Sequence, residues 1–200
     1  MKNYKLSDET KTLPWGTVLH GVVATTTFTL ACGLTVNAGD VGGWIENESN
    51  LSGNAWVSDN AQVYGNARVS GDTLVSGDAL VCGDAKVSGY AHVSGNAQVF
   101  GYAEVYDNAR VRGNALVSNN AEVFGNAQVS GDAKVTSAND YIVFKNDWSS
   151  SRYFTWTKSN DQWAEGRFYG TGDELIKRAY AGSEDNGKRY EACVKLVKTL

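Results

Sequence analysis

Residues 61–99 read AQVYGN ARVSGD TLVSGD ALVCGD AKVSGY AHVSGN AQV, and this stretch decides the fold. It belongs to a longer run in which an aliphatic residue recurs every six positions, from Ile45 to Val135, without a slip. A small residue stands two positions before most of these aliphatic residues. A pair such as Gly65-Asn66 or Gly77-Asp78 separates one hexapeptide from the next. Self-similarity at a fixed period is typical of solenoid architectures.

An α-helix cannot use a six-residue period, because six residues turn it by about 600° and would scatter the valines over several faces. A β-strand can use it, since residues two apart point to the same side. Each Gly-Asn or Gly-Asp pair tolerates the left-handed backbone that a corner requires. The pattern therefore predicts short strands that wind into stacked coils, with valine and alanine inside.

The repeat resembles that of hexapeptide-repeat proteins. This resemblance implies a left-handed parallel β-helix of triangular section, with three hexapeptides per coil and about five coils over residues 45–136. The segment from Asn37 to Glu46, followed by Asn50-Leu51, also resembles uncharacterised YdcK-like bacterial and prophage proteins. That second resemblance implies no activity.

Charge divides the chain into three segments. The formal net charge is −4, with 18 basic and 22 acidic residues. Residues 45–140 hold five basic and eleven acidic side chains, whereas residues 141–200 hold ten basic and eight acidic ones. We predict an N-terminal β cap over residues 1–44, the β-helix over residues 45–136, and a C-terminal α+β module over residues 137–200. The fold class is thus mainly β.

Composition also narrows the classes of function. The acidic net charge argues against nucleic acid as a partner. No apolar run approaches the ~18 residues of a membrane span, and Met1 to Leu13 lacks the apolar core of a secretory signal. Three widely spaced cysteines exclude a disulfide framework and a CxxC metal site, and they fit a reducing, cytoplasmic location. We expect no metal and no cofactor.

The residues that flank each core valine point outward and differ between the three sides. One side is apolar and could not be left in water without a partner. Either a terminal segment of the same chain covers it, or it joins subunits; the family resemblance favours a homotrimer. Its predicted interface residues are Tyr64, Leu80, Phe100 and Leu116, accompanied by Trp44 and Cys82. The second side shows Arg68, Lys86, Glu104 and Glu122, and the third shows Trp56, Leu74, His92, Arg110 and Arg112.

Hexapeptide-repeat proteins include acyltransferases that use a histidine base near a subunit interface, and the resemblance raises that alternative for His92. A base must reach the acceptor's proton. His92 points outward from a regular repeat, and no insertion builds a pocket over it. A solvated or interface histidine is the competing interpretation. We therefore name no catalytic residue, and keep an acyltransferase using His92 as the alternative function.

The repeat stops after Thr136, and the composition changes. Three strands are predicted, over residues 141–145, 152–158 and 162–169, with a turn at residues 159–161. Thr171 and Glu174 form a capping-box pattern that begins a helix. After a break between Gly182 and Gly187, a second helix is predicted from its apolar spacing.

Aromatic and basic residues mix in this module, as they do where a ring stacks on a base and a cation holds a phosphate. The predicted ligand-binding residues are Trp156, Lys158, Trp163, Arg167, Thr171 and Lys177. The alternative is that the aromatic residues form only the core of a small domain. We predict a non-enzymatic oligomeric scaffold whose module binds an anionic small molecule, such as a nucleotide, or a host protein. The prophage resemblance extends this to a counter-defence role in which a host signal is sequestered.

Overall fold

Fourteen two-residue strands in the middle of the chain form three parallel sheets, the three sides of a solenoid. Side 1 contains β7 (Gln62–Val63), β10 (Leu80–Val81), β13 (Gln98–Val99), β16 (Leu116–Val117) and β19 (Lys134–Val135). Side 2 contains β8 (Arg68–Val69), β11 (Lys86–Val87), β14 (Glu104–Val105) and β17 (Glu122–Val123). Side 3 contains β6 (Trp56–Val57), β9 (Leu74–Val75), β12 (His92–Val93), β15 (Arg110–Val111) and β18 (Gln128–Val129). These bounds come from a computed structural model that describes residues 2–199; Met1 and Leu200, the outer ends of the predicted cap and module, lie outside the described residues.

Each strand pairs with the strand eighteen residues later, so one coil is three hexapeptides. Val81, for example, lies beside Val63 and Val99. The backbone N–H of each coil donates to a carbonyl of the next, as from Gln62 to Ala79 at 2.9 Å. The core valines from Val57 to Val135 are 0 % exposed, so the predicted inside and outside register is confirmed. The left-handed winding remains a prediction from the resemblance.

Corners between the sides use the left-handed backbone that the sequence predicted. Gly95 has φ +70, and a Cβ there would lie 3.1 Å from the backbone N and O of Gly113 in the next coil. Asp59, Asp107 and Asn119 take the same conformation where glycine is missing, with φ of 57 to 59. Asp and Asn tolerate this region better than other side chains do.

The N-terminal cap extends side 1. The hairpin of β1 (Tyr4–Thr12) and β2 (Val18–Ala24) pairs antiparallel with β5 (Val41–Ile45), and a smaller hairpin joins β3 (Phe28–Thr29) to β4 (Thr35–Val36). Because the ladder donates toward the C-terminus, the first coil presents free carbonyls. The Tyr4 hydroxyl donates to the carbonyls of Glu48 and Leu51, in and beside the 3-10 helix at Glu48–Asn50. A paired and covered edge is protected from association with other chains.

The C-terminal module begins after a 3-10 helix at Ala138–Asp140, and it contains four strands and two helices. The strands are β20 (Tyr141–Lys145), β21 (Tyr153–Thr157), β22 (Gln162–Glu165) and β23 (Phe168–Gly170), and the helices are α1 (Gly172–Gly182) and α2 (Glu184–Val197). The prediction of three strands was wrong, because the third predicted strand reverses at Gly166, which has φ +58. The predicted break between the helices is also shorter. Gly187 lies inside α2, where a Cβ would overlap the Tyr180 ring.

The module covers the C-terminal end of the solenoid. Here the last coil presents free N–H groups, the reverse of the N-terminal end. The backbone N–H of Gln128 donates to Thr155 Oγ1 at 2.9 Å, and that of Lys134 donates to Ser159 Oγ at 2.7 Å. The module therefore lies against sides 3 and 1 of the last coil and satisfies donors that would otherwise be unpaired.

Candidate functional site

Side 3 of the solenoid is basic at the end that lies close to the module. The residues before each core valine are, in order along the axis, Trp56, Leu74, His92, Arg110 and Gln128. The residues after each valine are Ser58, Ser76, Ser94, Arg112 and Ser130. The residues before the valines form one column, and its apolar end lies under the N-terminal cap. There Phe28 packs edge-on against Trp56, with ring centroids 5.9 Å apart. The basic end lies beside the module.

A cleft of about 310 Å³ lies where side 3 meets the module. Its lining comes from both regions: Asn108, Arg110, Asn126 and Gln128 from the solenoid, and Arg152, Tyr153 and Gly166 from the module. The solenoid positions its share through the eighteen-residue register, which puts Arg110 beside Gln128. The module positions its share because β21 packs on β18 and the Gly166 turn lies against Arg112.

Arg112 fixes this junction. Its guanidinium is half-buried; it donates to Ser130 Oγ at 2.9 Å and to the Gly166 carbonyl at 2.8 Å. Burial, and then the neighbouring charge of Arg110, lower the pKa of Arg112. Among the described residues, no carboxylate lies within ion-pair distance of Arg110, Arg112 or Arg152. The cleft is therefore a positive region without a counter-charge from the described chain.

His92 lies one coil below Arg110 on the same column. Its Nε2 is 3.3 Å from Ser76 Oγ. Burial lowers the pKa of His92 below its usual value, and the charges of Arg110 and Arg112 lower it further. The neutral imidazole is thus favoured. His92 does not line the cleft, and the hydroxyl of Ser76 is its hydrogen-bond partner.

The two tryptophans of the sequence-predicted ligand site lie in the core of the module. Trp163 is 1 % exposed, and Trp156 is 7 % exposed with its Nε1 donating to Asp161 Oδ1 at 2.8 Å. They pack with Phe154 and Tyr190 in one aromatic cluster. Neither ring offers a free face for stacking, so the alternative interpretation, a domain core, describes them.

The polar members of the predicted site do not meet in a common cleft. Thr171 caps α1: its hydroxyl accepts from the Glu174 N–H at 3.3 Å, and its own N–H donates to the Glu174 carboxylate at 2.8 Å. Lys158, Arg167 and Lys177 are exposed and occupy different elements, the first after β21, the second in the turn before β23 and the third on α1. None of the three lines the cleft at Arg110.

The apolar side 1 is covered in part by the chain itself. Trp15, at the tip of the N-terminal hairpin, lies with its ring centroid 5.9 Å from that of Tyr64, and remains 64 % exposed. Burial, with a hydrogen bond to Cys82, raises the pKa of Tyr64 to about 12. Leu80, Phe100 and Leu116 are half-buried. Self-association through these residues, and the trimer, remain predictions.

Part of the cleft was visible in the sequence and part was not. The six-residue register placed Arg110 and Arg112 together on the third side. Arg152 and Tyr153 gave no signal, because no periodicity connects the module to the coil on which it docks. Among residues 2–199, no group of three or more His, Cys, Asp or Glu side chains is arranged to hold a metal ion. Within the same range, none of the helices has the length and apolar character needed to cross a bilayer.

The fold defines a β-solenoid repeat protein with a small α+β module at its C-terminal end. A family model described as the YdcK beta solenoid repeat matches residues 61–77, slightly less than one coil. No curated protein matches the chain. The family likeness therefore concerns the repeat, and function has to be argued from the cleft.

Proposed function

We propose that the chain is a binding scaffold, and that the cleft between side 3 and the module binds an anionic small molecule that carries phosphate. The observation that carries this proposal is the convergence of Arg110 and Arg152 from two separate regions on one cleft without a neighbouring carboxylate. Guanidinium groups suit phosphate because they present paired donors in a fixed plane.

The rest of the lining supports the same chemistry. Asn108, Asn126 and Gln128 add amide donors and acceptors to the lining, and Tyr153 adds a ring. A volume of about 310 Å³ is at the lower end of the range for small-molecule sites. This size suits a phosphate or diphosphate group with part of a nucleoside, and it is too small for a folded partner.

The positive field explains why an anion is preferred over a neutral ligand. Burial, and then the charges of Arg110 and Arg112, lower the pKa of His92, so added positive charge is disfavoured on this surface. An anion would relieve the same repulsion. Because Arg110 and Arg152 are exposed, added salt should weaken this attraction.

The test is titration calorimetry of the purified full chain with inorganic pyrophosphate, ATP and a cyclic dinucleotide. We expect at least one of them to bind with a single site per chain. Arg110→Ala and Arg152→Ala should each weaken that binding by about 10- to 100-fold, the equivalent of losing one charged hydrogen bond. Lys177→Ala, in the site predicted from sequence, is the matched control and should have no effect.

Two outcomes would contradict the proposal. One is that none of the three probes binds. The other is that Lys177→Ala weakens binding while Arg110→Ala does not. The ligand would then bind on the module surface, at the site predicted from sequence.

The acyltransferase alternative needs a different readout, because coenzyme A carries phosphates and could bind the cleft without reaction. We would measure release of the free thiol from acetyl-CoA with candidate acceptors. Thiol release that His92→Ala abolishes would favour the enzyme. In the biological form of our proposal, which the prophage resemblance suggests, the bound anion is a nucleotide signal of the host that the scaffold sequesters.

A further inference from the structure

Side 2 carries an ordered column of charges. Arg68, Lys86, Glu104 and Glu122 occupy the same position on four successive coils, paired in register along β8, β11, β14 and β17. From the N-terminal to the C-terminal end, the column is therefore two positive charges followed by two negative ones. An open groove of about 1230 Å³ lies over it.

The column beside it is ordered by size. Ser70, Ser88, Tyr106 and Phe124 follow the core valines on the same four coils. The small residues lie at the basic end and the aromatic ones at the acidic end. The rings of Tyr106 and Phe124 stack on each other with centroids 5.3 Å apart, and Phe124 is 44 % exposed. The acidic half of the surface is thus raised by aromatic rings, and the basic half, with serines, is lower.

We propose that side 2 binds side 2 of a second copy of this chain, with the two solenoid axes antiparallel. A twofold axis along the strand direction, between the Lys86 and Glu104 coils, places Arg68 opposite Glu122 of the second copy and Lys86 opposite its Glu104. The same operation places Ser70 opposite Phe124 and Ser88 opposite Tyr106, so that raised parts meet low parts. Both columns are complementary under one operation, which is the requirement for an isologous interface.

The parallel arrangement is disfavoured by the same residues. With the axes parallel, each coil would face its equivalent and the strand direction would be reversed. A twofold axis over the charged column would then place Arg68 opposite Arg68, and an axis between the two columns would place Arg68 opposite Ser70, so neither position pairs opposite charges. Like charges placed opposite each other disfavour association. The column has no net charge, so it is better matched by a surface with one basic and one acidic half, such as side 2 of a second copy, than by a strongly charged partner.

The charges are available for contacts between copies. Lys86 and Glu104 form an ion pair at 2.7 Å within the chain, but both side chains remain substantially exposed. The described residues include no ion pair for Arg68, and Glu122 accepts one hydrogen bond, from the Tyr106 hydroxyl at 3.2 Å. Arg68 and Glu122 lie three coils apart, about 14 Å, and so do not pair within one chain.

The size of the side sets the expected strength. Four coils span roughly 19 Å and one side spans roughly 20 Å at the usual strand spacings. The contact is therefore smaller than a standard interface of about 800 Å² per partner. We expect a reversible dimer, formed at concentrations on the order of 1–100 µM and weakened by salt.

The test is analytical ultracentrifugation of the full chain across that concentration range. We expect a species of twice the 21.5 kDa chain mass, which also distinguishes this dimer from the trimer predicted for side 1. Arg68→Glu alone and Glu122→Arg alone should each weaken the dimer about 10-fold or more, because each creates two repulsive pairs under the twofold axis. An equimolar mixture of the two variants should restore dimerisation, and so should the double variant. Lys134→Glu, an exposed charge reversal on side 1, is the matched control and should dimerise like the wild type.

Three results would overturn the proposal. The wild type could stay monomeric throughout the range, or it could associate as strongly after Arg68→Glu as before. Association lost in both single variants and not restored in their mixture would exclude the antiparallel twofold arrangement. Side 2 contributes no residue to the anion cleft, so failure here leaves the proposed function untouched.

Discussion

The solenoid and the C-terminal module stabilise their cores in different ways. In the solenoid, small valines and alanines repeat every six residues, and each packs mainly against the coil above and the coil below. In the module, a few large aromatic side chains, including Phe154, Trp163 and Tyr190, pack into one cluster from distant parts of the segment. The solenoid is therefore stabilised by many equal local interactions, and the module by a few large ones shared by all its elements.

The two regions also complement each other at their junction. The solenoid ladder runs in one direction, so its last coil has unpaired N–H donors. The module supplies acceptors to this coil from Thr155 and Ser159. The same junction brings Arg110 of the solenoid and Arg152 of the module to one cleft, so the repetitive scaffold gains a site that its repeat alone does not form.

The largest effect should come from placing a charge inside the solenoid. Val93→Asp puts an unpaired carboxylate in a core only one coil wide, and we expect a cost of several kcal/mol and unfolding of the neighbouring coils. Ser94→Asp, on the adjacent outward position, should be nearly neutral. Urea unfolding followed by circular dichroism measures both. Equal effects of the two substitutions would show that the register is wrong.

A smaller effect, limited to one region, should follow from Trp163→Ala. Removal of a fully buried indole from an aromatic cluster costs about 3–5 kcal/mol. We expect hydrogen exchange to increase across the module, residues 141–199, while the amides of coils 57–117 remain protected, because distant coils share no contacts with this ring. Trp15→Ala, which removes an exposed indole, is the control and should change neither region. If exchange increased uniformly along the chain, the two regions would be one cooperative unit.

The smallest effect concerns the dependence of the unfolding free energy on pH. The pKa of His92 is lowered in the folded chain, so the unfolded chain takes up this proton at a higher pH than the folded chain does. Stability supported by the neutral imidazole is therefore fully present above the ordinary histidine pKa of about 6.5. It is lost as pH falls below that value and through the lowered pKa of the folded chain. Unfolding free energies of the wild type and His92→Gln, measured on both sides of this pH, should differ in their slopes. Identical slopes would show that the pKa of His92 is the same in the folded and the unfolded chain.

More of the solenoid than of the module could be predicted from the sequence. The valine period predicted the inside and outside register of the solenoid, because each hexapeptide repeats the geometry of the last. The three sides and the coil length of three hexapeptides were implied by the family resemblance. The module was predicted element by element. Gly166 was missed as a turn because a single glycine within an aromatic stretch does not by itself end a predicted strand. Trp156 and Trp163 looked like a binding pair because composition cannot distinguish a buried ring from an exposed one. Arg152 entered the cleft only through the docking of the module, a contact between segments far apart in sequence.

The most direct test of the central claim, that the binding cleft belongs to both regions, is a double-mutant cycle on pyrophosphate affinity. Arg110→Ala removes the cation of the solenoid, Arg152→Ala removes that of the module, and calorimetry measures both variants and their combination. If both side chains hold the same anion, the two effects are coupled, and the double variant loses less affinity than the product of the single losses. A site belonging to one region would contradict the account: one variant would then bind like the wild type, and the double variant would match the other single variant.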